Sequence, residues 1–480
     1  MFIPASASSI DRRAFLALAG LASTLVLTRP LGAMASARDS TRRFELIARP
    51  VQAPLLGHVR PPVAAWGYGA GVPGPEIRLR QGERLRVEVV NRLPQETTVH
   101  WHGLRVPNAM DGVPHLTQPP IAPGQRFVYE FDVPDAGTYW YHPHHRSAEQ
   151  VGRGLYGPLI VEEPEPLAVD RDLTWMLDDW RLTKQGQISE TFEHPHDMSH
   201  GGQVGNLVTI NGVDRSAFAL RSGERVRLRL INAANARLFA LQFSGHRPTV
   251  VALDGQPVTP HEPADGRVVL GPAMRVDLIL DAVGKPGQRH TVRDTFYPRL
   301  QYDLLELVYE ATPLRARPLE TPVQLPANPL AEPDLGGAKT HEIRFQGGMM
   351  GTLAGATLNG RPMNMRQLMG RGKAWAVNGV VADGHMHEPV LTLERGRSYV
   401  IALRNDTRWH HPIHLHGHSF RVIRRNGQPT RHREWQDTVL MAPDEGVDIA
   451  FVADNPGDWM LHCHILEHQS GGMMSVIRVA

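Results

Sequence analysis

Near the C-terminus, the run "LHCHILEHQSGGMM" sets Cys463, the only cysteine of a 480-residue chain, between two histidines. A single cysteine forms no intramolecular disulfide, so Cys463 is either an ordinary buried thiol or a reactive or ligating one. His462 and His464 flank it, and three further His-x-His pairs stand elsewhere: His100 and His102, His142 and His144, His414 and His416. Residues i and i+2 of a strand face one side, so each pair presents two imidazoles together. One such pair on a surface is usually inert, whereas four pairs form a metal-binding array, and imidazole suits copper, zinc, iron and nickel alike.

Cys463 narrows that choice. Strand alternation turns its side chain away from the face shared by His462 and His464, so a metal on its thiolate lies on the opposite side from the histidine cluster. His468 follows five residues on, and Met473 five beyond that. A cysteine, two histidines and a weak axial methionine make the blue-copper electron-transfer site. His411, in "HHPIHLHGHSF", is the expected second histidine. His410 is a competing candidate that spacing leaves open. One covalent path, His-Cys-His, would then join a one-electron copper site to eight clustered imidazoles.

The elements that must position these residues come from an internal repeat. "EIRLRQGERLRVEVVNR", "FALRSGERVRLRLINA" and "VLTLERGRSYVIALRND" each run through alternating apolar residues to a glycine, then through a second alternating run to an asparagine. The pairs are Gly82 and Asn91, Gly223 and Asn232, Gly396 and Asn405. Period-two alternation predicts half-buried strands with the glycine at the turn between them. At positions +9 and +11 from the asparagine, the first copy has His100 and His102 and the third has His414 and His416; the second has Leu241 and Phe243. At +5 and +7 from Gly137 and from Gly457 stand the other two pairs. Three copies of one unit predict an all-β chain of three β-sandwich domains, of which the middle one carries no ligand. The boundaries fall near residues 165 and 335, the second within the proline-rich "ATPLRARPLETPVQLPANPLAEPDLGG". The domains are thus residues 38–165, 166–335 with its linker, and 336–480.

Residues 1–37 read as an export signal of twin-arginine type, with Arg12 and Arg13, an apolar run from Phe15 to Leu27, and small residues at Ala33, Ala35 and Ala37. That run is too short to span a bilayer, so the expected product is a periplasmic protein with no stable membrane anchor. Lys and Arg number 51 against 49 Asp and Glu, and no basic stripe stands out, which argues against nucleic acid as a partner.

On the segments "HWHG", "HPH", "HPIHLHG" and "HCHILEH" followed by Met473, the chain resembles the multicopper oxidases, the family of laccases, cuprous oxidases and bilirubin oxidases. The resemblance implies three cupredoxin-like Greek-key domains and four copper ions. It implies a type 1 copper on His411, Cys463, His468 and Met473, and a type 2 copper on His100 and His414. One type 3 copper would take His102, His142 and His464, the other His144, His416 and His462. The implied reaction removes electrons one at a time from a phenolic or Cu(I) donor, passes them through Cys463 and reduces O2 to water. Asp111, in "NAMDGVPH", matches a family carboxylate that assists with water and protons; a turn-forming Asp-Gly is the plainer reading. Where several bacterial relatives carry a glutamate after the last copper-binding histidine, this chain has Gln469. Glu467 is close in sequence but is expected to face elsewhere.

Two segments bear on the donor. Met349, Met350, Met363, Met365 and Met369 lie where cuprous oxidases carry a methionine-rich insert, and thioethers select Cu(I), although methionine also fills cores. The loop "EHPHDMSHGG", with His194, His196, Met198 and His200, is either a weak copper site or a solvated polar loop. Competing readings are a copper-tolerance protein that mainly oxidises Cu(I) or binds copper, a copper nitrite reductase, and a non-enzymatic periplasmic scaffold. Four His-x-His pairs with three repeats count against the reductase, and the complete ligand set counts against the scaffold. The expected state is a monomer.

Overall fold

The computed structural model describes residues 41–57, 59–384 and 388–480. The expected signal peptide lies outside them. The described chain is almost entirely β, and its four α-helices are each five or six residues long. None of its helices is long and apolar enough to cross a membrane.

Six sheets form three pairs. Strands between Thr41 and Glu162 make two four-stranded sheets, those between Arg171 and Tyr309 a six- and a five-stranded sheet, and those between Lys339 and Val479 a ten- and a five-stranded sheet. Each pair shares one apolar core drawn from both members. Leu85 and Val87 of one sheet meet Ile77 and Leu79 of the other in the first pair, and Ile343 and Ile401 meet Ile413 and Leu461 in the last. Facing inner surfaces are what an alternating strand pattern requires in order to leave water.

Alternation works cleanly in the first repeat, where Arg84–Asn91 buries every second residue. The two strands of each repeat are not paired with one another. Ile77–Arg80 belongs to one sheet and Arg84–Asn91 to its partner, so the turn at Gly82 carries the chain across the sandwich. Gly82, Gly223 and Gly396 all sit at φ near +80°, where a side chain is strained. The last repeat departs from the half-buried expectation at Tyr399–Leu403, all buried, and the middle repeat departs throughout, because Arg225–Asn232 is buried along its whole length. Its polar face lies against the first sheet pair: Arg227 bonds Glu163 and Asp277, and Arg229 bonds Asp172, Asp277 and Thr138. Bidentate carboxylate partners are what allow guanidinium groups to be buried.

The asparagine closing each repeat does the same work three times. Asn91 Nδ2 donates to the carbonyls of Gln95 and Ile121, Asn232 Nδ2 to those of Arg237 and Leu270, and Asn405 Nδ2 to those of Trp409 and Ala442. Each Oδ1 accepts the amide N–H two residues on. The staple fixes the loop that leads into the next strand. In the first and last repeats that strand carries a His-x-His pair; in the middle one it buries Leu241 and Phe243 in the core.

Candidate metal centre

The strand His100–His102 pairs with Gly137–His142 so that His100 faces His142, and His411–Leu415 pairs with Gly457–Cys463 so that His414 faces His462. His144, His416 and His464 lie just past their strand ends. The eight imidazoles are all buried and meet across the first and last sheet pairs. His100 stacks on His416 with centroids 3.9 Å apart, and His102 on His414 at 3.8 Å. The donor atoms of His102, His142 and His464 lie within 4.8 Å of one another, as do those of His144, His416 and His462.

Hydrogen bonds settle which ring nitrogen is free. His100 Nδ1–H donates to the Asp111 carbonyl at 2.8 Å and His414 Nδ1–H to the Asp437 carbonyl at 2.9 Å, leaving both Nε2 atoms buried without a partner. His102 is the reverse: Nε2–H faces Asp437 Oδ1 at 3.2 Å, and Nδ1 has no partner. His416 Nδ1–H donates to Asp111 Oδ2 at 2.9 Å, and His462 Nδ1–H to the Cys463 carbonyl at 2.9 Å. Their Nε2 atoms then face each other at 3.1 Å with two lone pairs and no proton between them. Such a contact is repulsive unless a cation joins it, so these residues fit a metal. Burial, reinforced by neighbouring imidazoles, holds His102, His142, His144, His416, His462 and His464 well below the usual imidazole range, so all stay neutral and able to ligate.

On the far side of the same strand, His411 Nδ1, Cys463 Sγ and His468 Nδ1 form a second cluster, with separations of 3.4, 3.6 and 3.1 Å. His411 Nε2–H donates to Thr407 Oγ1 at 2.8 Å and His468 Nε2–H to the His200 carbonyl at 2.6 Å, so both Nδ1 lone pairs point at the sulfur. Burial lowers His468 to about 3 and pushes the Cys463 thiol up, which makes a free thiolate costly there without a cation. Met473 is fully buried, and its N–H donates to the His468 carbonyl. His410 lies apart, its ring against Phe296.

Asp111 is fully buried between His100 and His416 rather than in an exposed turn. Glu467 faces the middle sheet pair, where it accepts from Gln203 N–H at 3.1 Å and Asn235 Nδ2 at 3.2 Å; burial raises it to about 7. The Gln469 side-chain oxygen is buried without a partner. Of the five methionines, Met363 and Met365 pack on a small apolar cluster, Met369 packs on the large core, and Met349 and Met350 are exposed. The "EHPHDMSHGG" loop holds the short helix Pro195–Ser199, and His196 stacks on His200 at 4.0 Å.

Spacing did not single out several residues that orient the ligands. Asp437 accepts from His102 and from Arg275, and Arg275 comes from the middle sheet pair. Asp254 accepts the amide N–H groups of Arg275, Asp437 and Thr438. The ligand-free middle domain thus clamps an outer histidine through one buried Arg-Asp pair. No local pattern marks these residues, because the partners are far apart in sequence.

Two buried histidine-rich clusters on facing sides of one strand, in a chain of three β-sandwiches, define a copper protein of the cupredoxin kind. Family models described as multicopper oxidase match residues 52–166, 171–301 and 359–480. The chain belongs to the multicopper oxidase family and is an oxidoreductase that uses O2. It is 32% identical to multicopper oxidase MmcO of Mycobacterium tuberculosis over 93% of this chain and 89% of that protein. It is 27% identical to a copper resistance protein A homolog of Pseudomonas syringae, over 92% of each chain. The crystal structure of a multi-copper oxidase from Pseudomonas thermotolerans superposes with a TM-score of 0.80 at 38% identity, covering 92% of this chain and 99% of that one.

Proposed function

We propose that this is an exported oxidase that takes electrons singly from a phenolic or Cu(I) donor at the His411–Cys463–His468 cluster and delivers four to O2, forming water, at the eight-histidine cluster. The observation that carries the reading is Cys463 itself, whose sulfur belongs to one cluster while its two chain neighbours, His462 and His464, belong to the other. Copper, when bound, supplies the one-electron redox chemistry. His411, Cys463, His468 and Met473 would hold a type 1 ion, and His100 and His414 a type 2 ion. His102, His142 and His464 would hold one type 3 ion, and His144, His416 and His462 the other; the grouping of their donor atoms supports this division.

The chain's other groups fix tautomers and handle protons. Thr407 and the His200 carbonyl keep the Nδ1 atoms of His411 and His468 free, while Asp111 and Asp437 do the same for the ring nitrogens of the larger cluster. Asp111 Oδ1 has no hydrogen-bond partner and lies 3.2 Å from His100, so it can accept or return a proton beside the site of O2 reduction. Separating the two clusters keeps partly reduced oxygen away from donor radicals. The strand-free stretches from Glu162 to Arg171 and from Tyr309 to Lys339 support a division near residues 165 and 335. Arg12 and Arg13 before the Phe15–Leu27 run support twin-arginine export to the periplasm, and the array suits a monomer because one chain supplies every ligand.

The deciding experiment is O2 consumption by the copper-loaded protein with a Cu(I) donor and, separately, a phenol, each with and without Met349–Met369. Preference for Cu(I) that vanishes on deletion marks a copper-detoxifying oxidase, and phenol oxidation that survives deletion marks a laccase. No O2 uptake with either donor refutes the proposal.

A further inference from the structure

His468 is the ligand whose outer edge points away from the eight-histidine cluster, and a donor would have to reach that edge to touch the smaller cluster directly. It is fully buried. Its Nε2–H is taken by the His200 carbonyl at 2.6 Å, and Trp375 covers its face at 4.2 Å between centroids. The loop that brings His200 there belongs to the middle sheet pair and is held from several sides. Arg181 grips Asp197 with both terminal guanidinium nitrogens, Trp375 Nε1 donates to the Met198 carbonyl, Met349 N–H donates to the Ser199 carbonyl at 2.8 Å, and Gln203 N–H donates to Glu467. Gly202 sits at φ +81°, and a Cβ there would meet Ala236 and Ile465 at 2.5 Å, so the loop is seated tightly. Its outer surface carries His196, His200 and the neighbouring Trp409 and Met349.

We propose that residues 194–203 are a specificity cap that keeps organic donors off His468 and makes the His200 carbonyl the port through which electrons arrive. The inference rests on the oxidase reading of the site. A reduced metal complex can pass one electron across the His200–His468 hydrogen bond without touching the ligand. With copper held by Cys463, that step would oxidise the metal complex by one unit and reduce the copper by one, with no proton transferred. A phenol must lose a proton to solvent along with its electron to become a phenoxyl radical, and it gains from pressing its ring and hydroxyl against the imidazole edge, which the cap denies it. His200 is a positioning residue, acting through His468.

The test has two arms. In copper-free protein labelled with 15N-histidine, the His468 Nε2–H exchanges slowly with water, and exchange accelerates when residues 194–200 are replaced by a Gly/Ser segment of equal length or when Arg181→Met releases Asp197. In copper-loaded protein kept free of O2, bleaching of the blue colour by guaiacol speeds up about tenfold or more in the same variants, as expected when a reacting edge is uncovered, while bleaching by hexaammineruthenium(II), which loses its hydrogen-bonded port, does not speed up. Arg181→Met decides the matter if the replaced segment prevents folding. Fast exchange of His468 in the unaltered protein overturns the proposal, as does exchange that stays slow in the variants. Faster exchange with an unchanged guaiacol rate overturns it too. Absence of blue colour in the unaltered loaded protein is a different result: it refutes the copper assignment while the exchange measurement still reports on the cap.

Discussion

At the scale of single residues, the clustering of the histidines and the opposite placing of Cys463 were legible because the residues stand at fixed offsets and strand periodicity says which side each one takes. Cys463→Ser is expected to abolish both the blue absorption and O2 turnover while circular dichroism stays unchanged; persistent colour would remove Cys463 from the ligand set. The titration behaviour gives a second expectation. Burial raises the thiol and lowers the imidazoles, so at neutral pH only Cys463 still holds a proton that copper must displace. Anaerobic Cu(I) uptake at the smaller cluster should therefore release one proton and tighten about tenfold per pH unit below the thiol's pKa, whereas uptake at the two triads His102, His142, His464 and His144, His416, His462 should be nearly independent of pH between neutrality and mild acidity. Calorimetry in buffers of different ionisation enthalpy reads that proton directly. Asp111→Asn leaves one amide N–H pointing at groups that already donate, and should lower O2 reduction by about 10- to 100-fold with the blue colour intact. The groups that orient the ligands were not legible. The His200 carbonyl carries no residue-type signature, and the Arg275–Asp437 pair joins two segments that nothing in the sequence links.

The elements were read from alternation, glycine turns and repetition, and those signals held wherever one face of a strand meets water. They failed on Arg225–Asn232, whose arginines looked solvent-facing yet are buried against Asp172 and Asp277 of their own sheet pair and Glu163 just past the first, since periodicity reports polarity and not the presence of a partner. The repeat's closing asparagine was used only as a counting mark, and the structure shows why the offset recurs: it staples the loop that sets the next strand. Asn232→Ala removes three hydrogen bonds at a site with no ligand, and should cost about 2–3 kcal/mol of stability, read as a shift in the urea midpoint of the copper-free protein. Gly223→Ala should cost more than Gly396→Ala. Both force a left-handed backbone on alanine, but only at Gly223 would the new methyl meet a backbone oxygen, that of Arg315 at 2.2 Å.

For the whole molecule, the histidines of the larger cluster divide between the first and last sheet pairs, so copper held there would tie together the two most distant parts of the chain. Chelation should lower the unfolding temperature of the outer sandwiches more than that of the middle one, which hydrogen exchange resolved by region can measure. The same division has a consequence for biosynthesis. His100, His102, His142 and His144 leave the ribosome on the order of tens of seconds before residues 411–468 are made, and during that interval the early four are an incomplete set. A chain truncated before Cys463 lacks Met474–Val479, the partner of Gly457–Cys463, and never acquires the completed array. The histidine array is thus a mark of completeness: its two halves meet only in a polypeptide whose synthesis has reached its last strands.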